Sequence, residues 1–125
     1  MLIDTDVMIW CLRGNAKAIK ALTILERRAV SQITRMELVV GCRTKTELNL
    51  LKRFLSEENF HISPLTHEIG IRADLWFEQK NLSHGVGLAD SLIAATASTL
   101  GLPLLTGNAK HFRCFKQLEI KKFTP

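Results

Sequence analysis

Short apolar runs alternate with longer segments of helical period along this chain, and that alternation constrains the fold more than any other feature. "LID" at residues 2–4 reads as a brief buried strand, and "TDVMIWCLRG" as a helix stopped at Gly14. "AKAIKALTILERR" reads as a second helix, with Ile19, Leu22 and Leu25 at helical spacing. "AVSQI" is a strand, "TRMELVVGC" a helix closing at Gly41, and "TKTELNLLKRFLSE" an amphipathic helix with Leu48, Leu51 and Leu55 on one stripe. "FHISP" is a strand, "THEIGIRADLWFEQKN" a long helix and "GVG" a loop. "LADSLIAATASTLG" is a small-residue helix ending at Gly101, followed by the buried strand "LPLLTG", the short helix "NAKHFRCF" and a last strand, "LEIKKF". This order predicts an α/β fold with a mostly parallel sheet and helices on both faces. No repeat or linker interrupts it, so residues 1–125 are expected to form one domain.

The composition supports a buried core, with 46% hydrophobic residues. Cys11, Cys42 and Cys114 are odd in number and form no CxxC pair, so buried free thiols in a reducing cytoplasm are expected. The first apolar run lacks a basic n-region, and no stretch approaches the ~20 residues of a membrane span. A net charge of +5 suits a polyanionic partner. The aromatic content of 6%, with no Tyr, offers few platforms for stacking bases.

Two carboxylates, Asp4 and Asp6, interrupt the first apolar run. Burying such charges unpaired costs several kcal/mol, so a compensating partner is expected. In parallel α/β sheets, ligands bind at the carboxyl ends of the strands. Asp4 falls at the end of the first strand and Glu37 in the first turn of the helix after "AVSQI". Asp90 falls in the first turn of "LADSLIAATAS", and Asn108 just after "PLLTG". All four are therefore placed on one edge of the sheet. Each also has a plainer reading. Asp4 or Asp6 serves as a helix cap, Thr34 and Glu37 spell a capping box, Asp90 complements a helix dipole, and Asn108 is an N-cap. As a group they suggest a shared cation, because two carboxylates ~5 Å apart repel by roughly 3 kcal/mol at an effective dielectric near 20. Oxygen-only ligands select Mg²⁺ or Mn²⁺ over zinc.

"MLIDTDVMIW", "TRMELVVG", "LADSLIAATAS" and "PLLTGNAKHF" resemble, in order and spacing, the motifs of PIN-domain ribonucleases, and among them the VapC toxins of prokaryotic toxin–antitoxin pairs. The resemblance runs from the first residue to about Phe112. It implies a PIN-like three-layer α/β/α fold and a Mg²⁺- or Mn²⁺-dependent endoribonuclease that leaves 5′-phosphate and 3′-hydroxyl ends. It implies a cytoplasmic homodimer, acting on structured RNA and silenced by a small VapB-like antitoxin. By position, Asp4, Glu37 and Asp90 match the family's metal-binding acids. Asn108 falls where many members carry a fourth acid; an amide can ligate but cannot act as a base. Asp6 is placed to replace part of that missing charge. Thr5 and Thr106 offer hydroxyls that orient a carboxylate or a water, or simply end their elements.

Two alternatives stay open. "LIDTDVMI" also resembles the first motif of haloacid dehalogenase-like phosphatases, in which Asp4 would be a covalent nucleophile and Asp6 the acid/base. With Asn108 in place of an acid, a weakened member that binds RNA or antitoxin without cutting is the other. His61, His67, His84 and His111 lack metal-ligand spacing and read as structural. Arg13, Arg35, Lys110, Arg113 and Lys116 are candidates for phosphate contacts near the acids. Leu75, Trp76 and Phe77 pack against the core or a second copy.

Overall fold

The computed structural model describes all residues, Met1–Pro125. The elements run β1 (Leu2–Ile3), α1 (Thr5–Leu12), α2 (Ala16–Thr23), β2 (Arg28–Ser31), α3 (Gln32–Val40), α4 (Lys45–Glu57) and β3 (Phe60–Ser63). They continue with α5 (His67–His84), α6 (Leu88–Leu100), β4 (Leu104–Thr106), α7 (Ala109–Phe112) and β5 (Ile120–Lys122). The five strands form one sheet in the order β3-β2-β1-β4-β5, and every neighbouring pair is parallel. The sheet is thus wholly rather than mostly parallel. Successive strands are joined by helices that return the chain to the starting edge, which excludes tight antiparallel hairpins.

The two faces of the sheet are separated by the twofold period of its strands. Ile3, Val30 and Leu105 point to one side and pack with Val7 and Met8 of α1, Leu22 of α2, and Leu51 and Leu55 of α4. Leu2, Ala29 and Leu104 point to the other, against Ile93, Ala94 and Ala97 of α6 and Phe112 of α7. Ala95 of α6 faces away from this layer, toward Ile69 and Ala73 of α5. Small side chains on several faces of α6 let it approach the sheet and α5 at once. Arg72 of α5 adds a polar tie, donating to Ser98 Oγ of α6 at 2.7 Å. Gly101 ends α6 at φ +66°, a left-handed conformation that favours glycine and turns the chain into β4.

Several local expectations are corrected. α2 stops at Thr23, and its buried side is Ala18 and Leu22; Ile19 is exposed. α5 runs on to His84 before Gly85 turns it at φ +63°. α3 begins at Gln32 with Ser31 as its cap, the serine hydroxyl accepting Ile33 N–H at 3.2 Å. Thr34 is therefore inside the helix, and the Thr34–Glu37 capping box does not form. Glu37 lies in the second turn rather than the first. The three cysteines are free but half-buried. No helix is long and apolar enough to cross a membrane.

Candidate active site

The strand order reverses between β1 and β4, because β1 leads on to β2 on one side while β4 and β5 lie on the other. Loops leaving the carboxyl ends of these two strands diverge to opposite faces and open a crevice. Asp4 follows β1 directly at this point, and Thr106 closes β4 beside it.

Asp4 is only 6% exposed. Its carboxylate caps α1, accepting Thr5 N–H at 2.8 Å through Oδ1 and the Thr106 hydroxyl at 2.7 Å through Oδ2. Burial is the main force on it and raises its pKa from the ordinary value to about 7. The neighbouring Asp6 charge and, more weakly, Asp90 push the same way, against the lowering effect of the Thr106 and Thr5 hydrogen bonds.

Asp6, one helical position beyond Thr5, turns back to the same spot. Its Oδ2 accepts Gly107 N–H at 3.0 Å. Burial raises its pKa as well, offset by hydrogen bonds from Val7 and Gly107 N–H and from the Asp4 carboxyl, with Asp90 again raising it. Its Oδ1 is buried with no hydrogen-bond partner. A Cβ at Gly107 would sit 2.7 Å from Asp6 Oδ2, so any larger residue here would have to displace that carboxylate.

Glu37 reaches the cluster through Thr5. The Thr5 hydroxyl donates to Glu37 Oε1 at 2.7 Å and lies 3.0 Å from Thr34 Oγ1. A hydroxyl has one proton, so Thr34 donates to Thr5 in this chain. Thr34, fully buried, is thus part of the site's support rather than a helix cap. Asp90 enters from α6, in the first turn, as expected. His111 Nδ1 lies 3.3 Å from Asp90 Oδ2.

The structure therefore brings Asp4, Thr5, Asp6, Glu37, Asp90 and Thr106 to one crevice. Asn108 stands at its edge but is exposed, and its side chain makes no capping bond; its N–H donates to Thr106 Oγ1 at 3.0 Å. His61, His67 and His84 are exposed. His111 is the residue sequence reasoning set aside, since nothing in its spacing shows that α7 folds it against Asp90. Gly107 was missed likewise; its position after a strand end was the only signal. Of the five basic candidates, Arg13 lines an apolar groove that also reaches Glu37, and Arg35 a separate hollow with Lys52 and Phe60.

The chemistry of the donors fits a hard divalent cation. All are oxygens, one of them a buried carboxylate oxygen without a partner, and Asp4 and Asp6 carry raised pKa values that a cation would relieve. In the present side-chain positions no three of the chain's acids, histidines and cysteines lie close enough to enclose one ion.

Fold and crevice together define a class: an α/β/α protein whose wholly parallel sheet gathers carboxylates at its switch point. The PIN domain family matches residues 1–117. Ribonuclease VapC10 of Mycobacterium tuberculosis is 36% identical over 123 residues, which span 95% of this chain and 90% of that protein. Ribonuclease VapC19 of the same organism is 35% identical over 123 residues, 94% of this chain and 96% of its own. A toxin–antitoxin complex from Klebsiella pneumoniae contains a chain 29% identical, with a TM-score of 0.79 over 94% of this chain and 93% of that one. The chain belongs to the PIN-domain family and, within it, to the VapC type. The phosphatase alternative finds no support: β4 closes at Thr106 and is followed by Gly107 and Asn108, so no acidic pair stands at this strand end.

Proposed function

We propose that this protein is a Mg²⁺- or Mn²⁺-dependent endoribonuclease that hydrolyses RNA phosphodiesters, and the toxin of a VapBC-type pair. The observation that carries it is the convergence of Asp4, Asp6, Glu37 and Asp90 at the switch point of a PIN-domain sheet. Support comes from the VapC ribonucleases to which the chain is similar and from structural likeness to a toxin–antitoxin complex.

Asp4, Glu37 and Asp90 would hold the ion, with Asp6 beside them. A divalent cation bound there supplies the positive charge that activates a water and steadies a departing oxygen. The chain's own residues prepare that place. Thr106 and the Thr5 N–H fix the Asp4 carboxylate, and the Thr5–Thr34 hydroxyl pair fixes Glu37. His111 holds one oxygen of Asp90. Asn108 provides no charge, so any second ion rests on Asp6.

The partner is a VapB-like antitoxin, and the working form a homodimer in the cytoplasm. An apolar groove of about 660 Å³ between α1, α3 and α4 runs up to Glu37, past Ile9, Leu12, Leu50 and Phe54. A partner segment seated there would cover the acids. The deciding experiment is cleavage of total RNA by protein freed of antitoxin. Fragments should appear with Mg²⁺ or Mn²⁺ and cease with EDTA. Undiminished cleavage in EDTA overturns the metal role, and RNA binding without cleavage in either ion favours the weakened member.

A further inference from the structure

A second group of chemically active side chains lies just beyond the acids. The carbonyl of His111, the residue that touches Asp90, accepts the Cys114 thiol at 3.6 Å. Cys114 in turn lines a cavity of about 170 Å³ with Trp76, Gln79, Lys80, Lys116 and Gln117. The Trp76 ring is fixed as one wall by stacking on Phe115, with centroids 5.0 Å apart and planes at 26°. A hollow of about 630 Å³ continues past Trp76, Gln79 and Gln117 along α5. Lys80 is half-buried, and neither it nor Lys116 belongs to an ion pair. Burial raises the pKa of the Cys114 thiol, Lys80 lowers it and Asp90 raises it, so one sulfur feels both the cavity's ammonium and the site's carboxylate.

Two ammonium groups with no carboxylate paired to them favour an anion. Beside them stand an indole wall and two amides that can donate and accept. Ammonium for phosphate, ring for base face and amide for base edge together match one unpaired nucleotide. An apolar peptide would leave the ammonium groups unsatisfied, and a bare anion would leave the ring unused. The chain is poor in aromatics, but a single nucleotide needs only one ring, and Trp76 shares its cavity with Cys114, whose thiol donates to the carbonyl of His111.

We propose that this cavity is a subsite for one single-stranded nucleotide of the RNA substrate, flanking the scissile bond. Its phosphate lies on Lys80 and Lys116, its base against Trp76, and its base edge meets Gln79 and Gln117. The inference rests on the nuclease reading and deepens it, since it makes an unpaired segment, rather than a duplex, the part of the substrate held next to the acids.

The test uses a Trp10→Phe chain, which leaves Trp76 as the one tryptophan, with Glu37→Gln added to prevent cutting. Mixed-sequence single-stranded RNA in Mg²⁺ should change Trp76 emission, and a matching duplex should not. Adding Lys80→Met and Lys116→Met should weaken binding about tenfold and flatten the plot of log affinity against log salt by about 0.7 for each phosphate that is no longer neutralised. In the cutting-competent chain the same pair should raise KM and leave kcat near its starting value. If the wild type cuts RNA while Trp76 emission is indifferent and the lysine variants bind with unchanged affinity and slope, this inference falls alone. If the wild type neither binds nor cuts RNA, the nuclease reading falls and takes this inference with it. If the lysine variants change the sedimentation of the protein, the cavity is an interface between copies and the inference is overturned.

Discussion

Thr106 donates its hydroxyl to Asp4 Oδ2 at 2.7 Å, joining the ends of β4 and β1 across 102 positions of sequence. The threonine oxygen also accepts Asn108 N–H, so the hydroxyl proton is committed to Asp4. This bond lowers the Asp4 pKa, and burial outweighs it. The site is thus built to keep a carboxylate where a carboxylate alone is uncomfortable.

Metal-free stability should fall as pH rises. The folded pKa of Asp4 is about 7 against 3.8 unfolded, so the folded state binds the extra proton. Below the unfolded value the group has no effect; the loss grows between the two and is complete above pH 7. Three units of difference set an upper scale on the order of 4 kcal/mol, and Asp6, also raised, adds in the same direction. Urea unfolding in EDTA should show lower stability at about pH 8 than at about pH 5.5. Asp4→Asn should flatten that slope and stabilise the protein by about 1 kcal/mol at the higher pH. Excess Mg²⁺ should raise the wild type more than the variant. A clearly destabilised Asp4→Asn in EDTA, with equal Mg²⁺ shifts in both, would show that Asp4 is held as a structural residue.

Glu37→Gln should fold with near-normal stability and lose most RNA cleavage. The amide oxygen can still accept the Thr5 hydroxyl, so the local bond survives while the charge does not. Thermal unfolding and cleavage assays on one preparation decide the matter, and wild-type turnover would reduce Glu37 to a partner of Thr5.

Gly107→Ala should cost about 1–3 kcal/mol, the usual scale of overpacking. The added methyl would stand 2.7 Å from Asp6 Oδ2. In an Asp6→Ala background the same change should be close to neutral, because the obstructing oxygen is gone. A double-mutant cycle by urea unfolding measures the difference, and equal costs in both backgrounds would mean that the strain lies elsewhere.

His111 should matter to ion affinity through Asp90. Partners that orient a ligating carboxylate typically contribute about 10- to 100-fold in affinity. His111→Ala should therefore weaken Mn²⁺ binding, measured calorimetrically, toward that range. His111→Asn, which keeps a donor near Nδ1, should recover part of the loss. Equal affinity in all three proteins would assign His111 no role toward Asp90.

The sequence by itself determined the parallel α/β framework, because strand and helix periods are local and each short apolar run could be read where it stood. It also placed Asp4 and Asp90 correctly, since a strand end and a first helical turn are defined by neighbouring residues. The position of Glu37 was misread because Thr34 mimics a cap; Ser31, three residues earlier, caps α3 instead and moves Glu37 into the second turn. That Thr5 and Thr34 join Glu37 to the site, that Gly107 lies against Asp6, and that His111 meets Asp90 were decided by tertiary structure alone. The Thr5–Glu37 link depends on α1 packing against α3 and the His111–Asp90 contact on α7 packing against α6; the meeting of Gly107 and Asp6 depends on the strand order placing β4 beside β1, a pairing between segments about a hundred residues apart. Local periodicity carries no record of such a pairing, because it arises from the burial of both strands in one sheet.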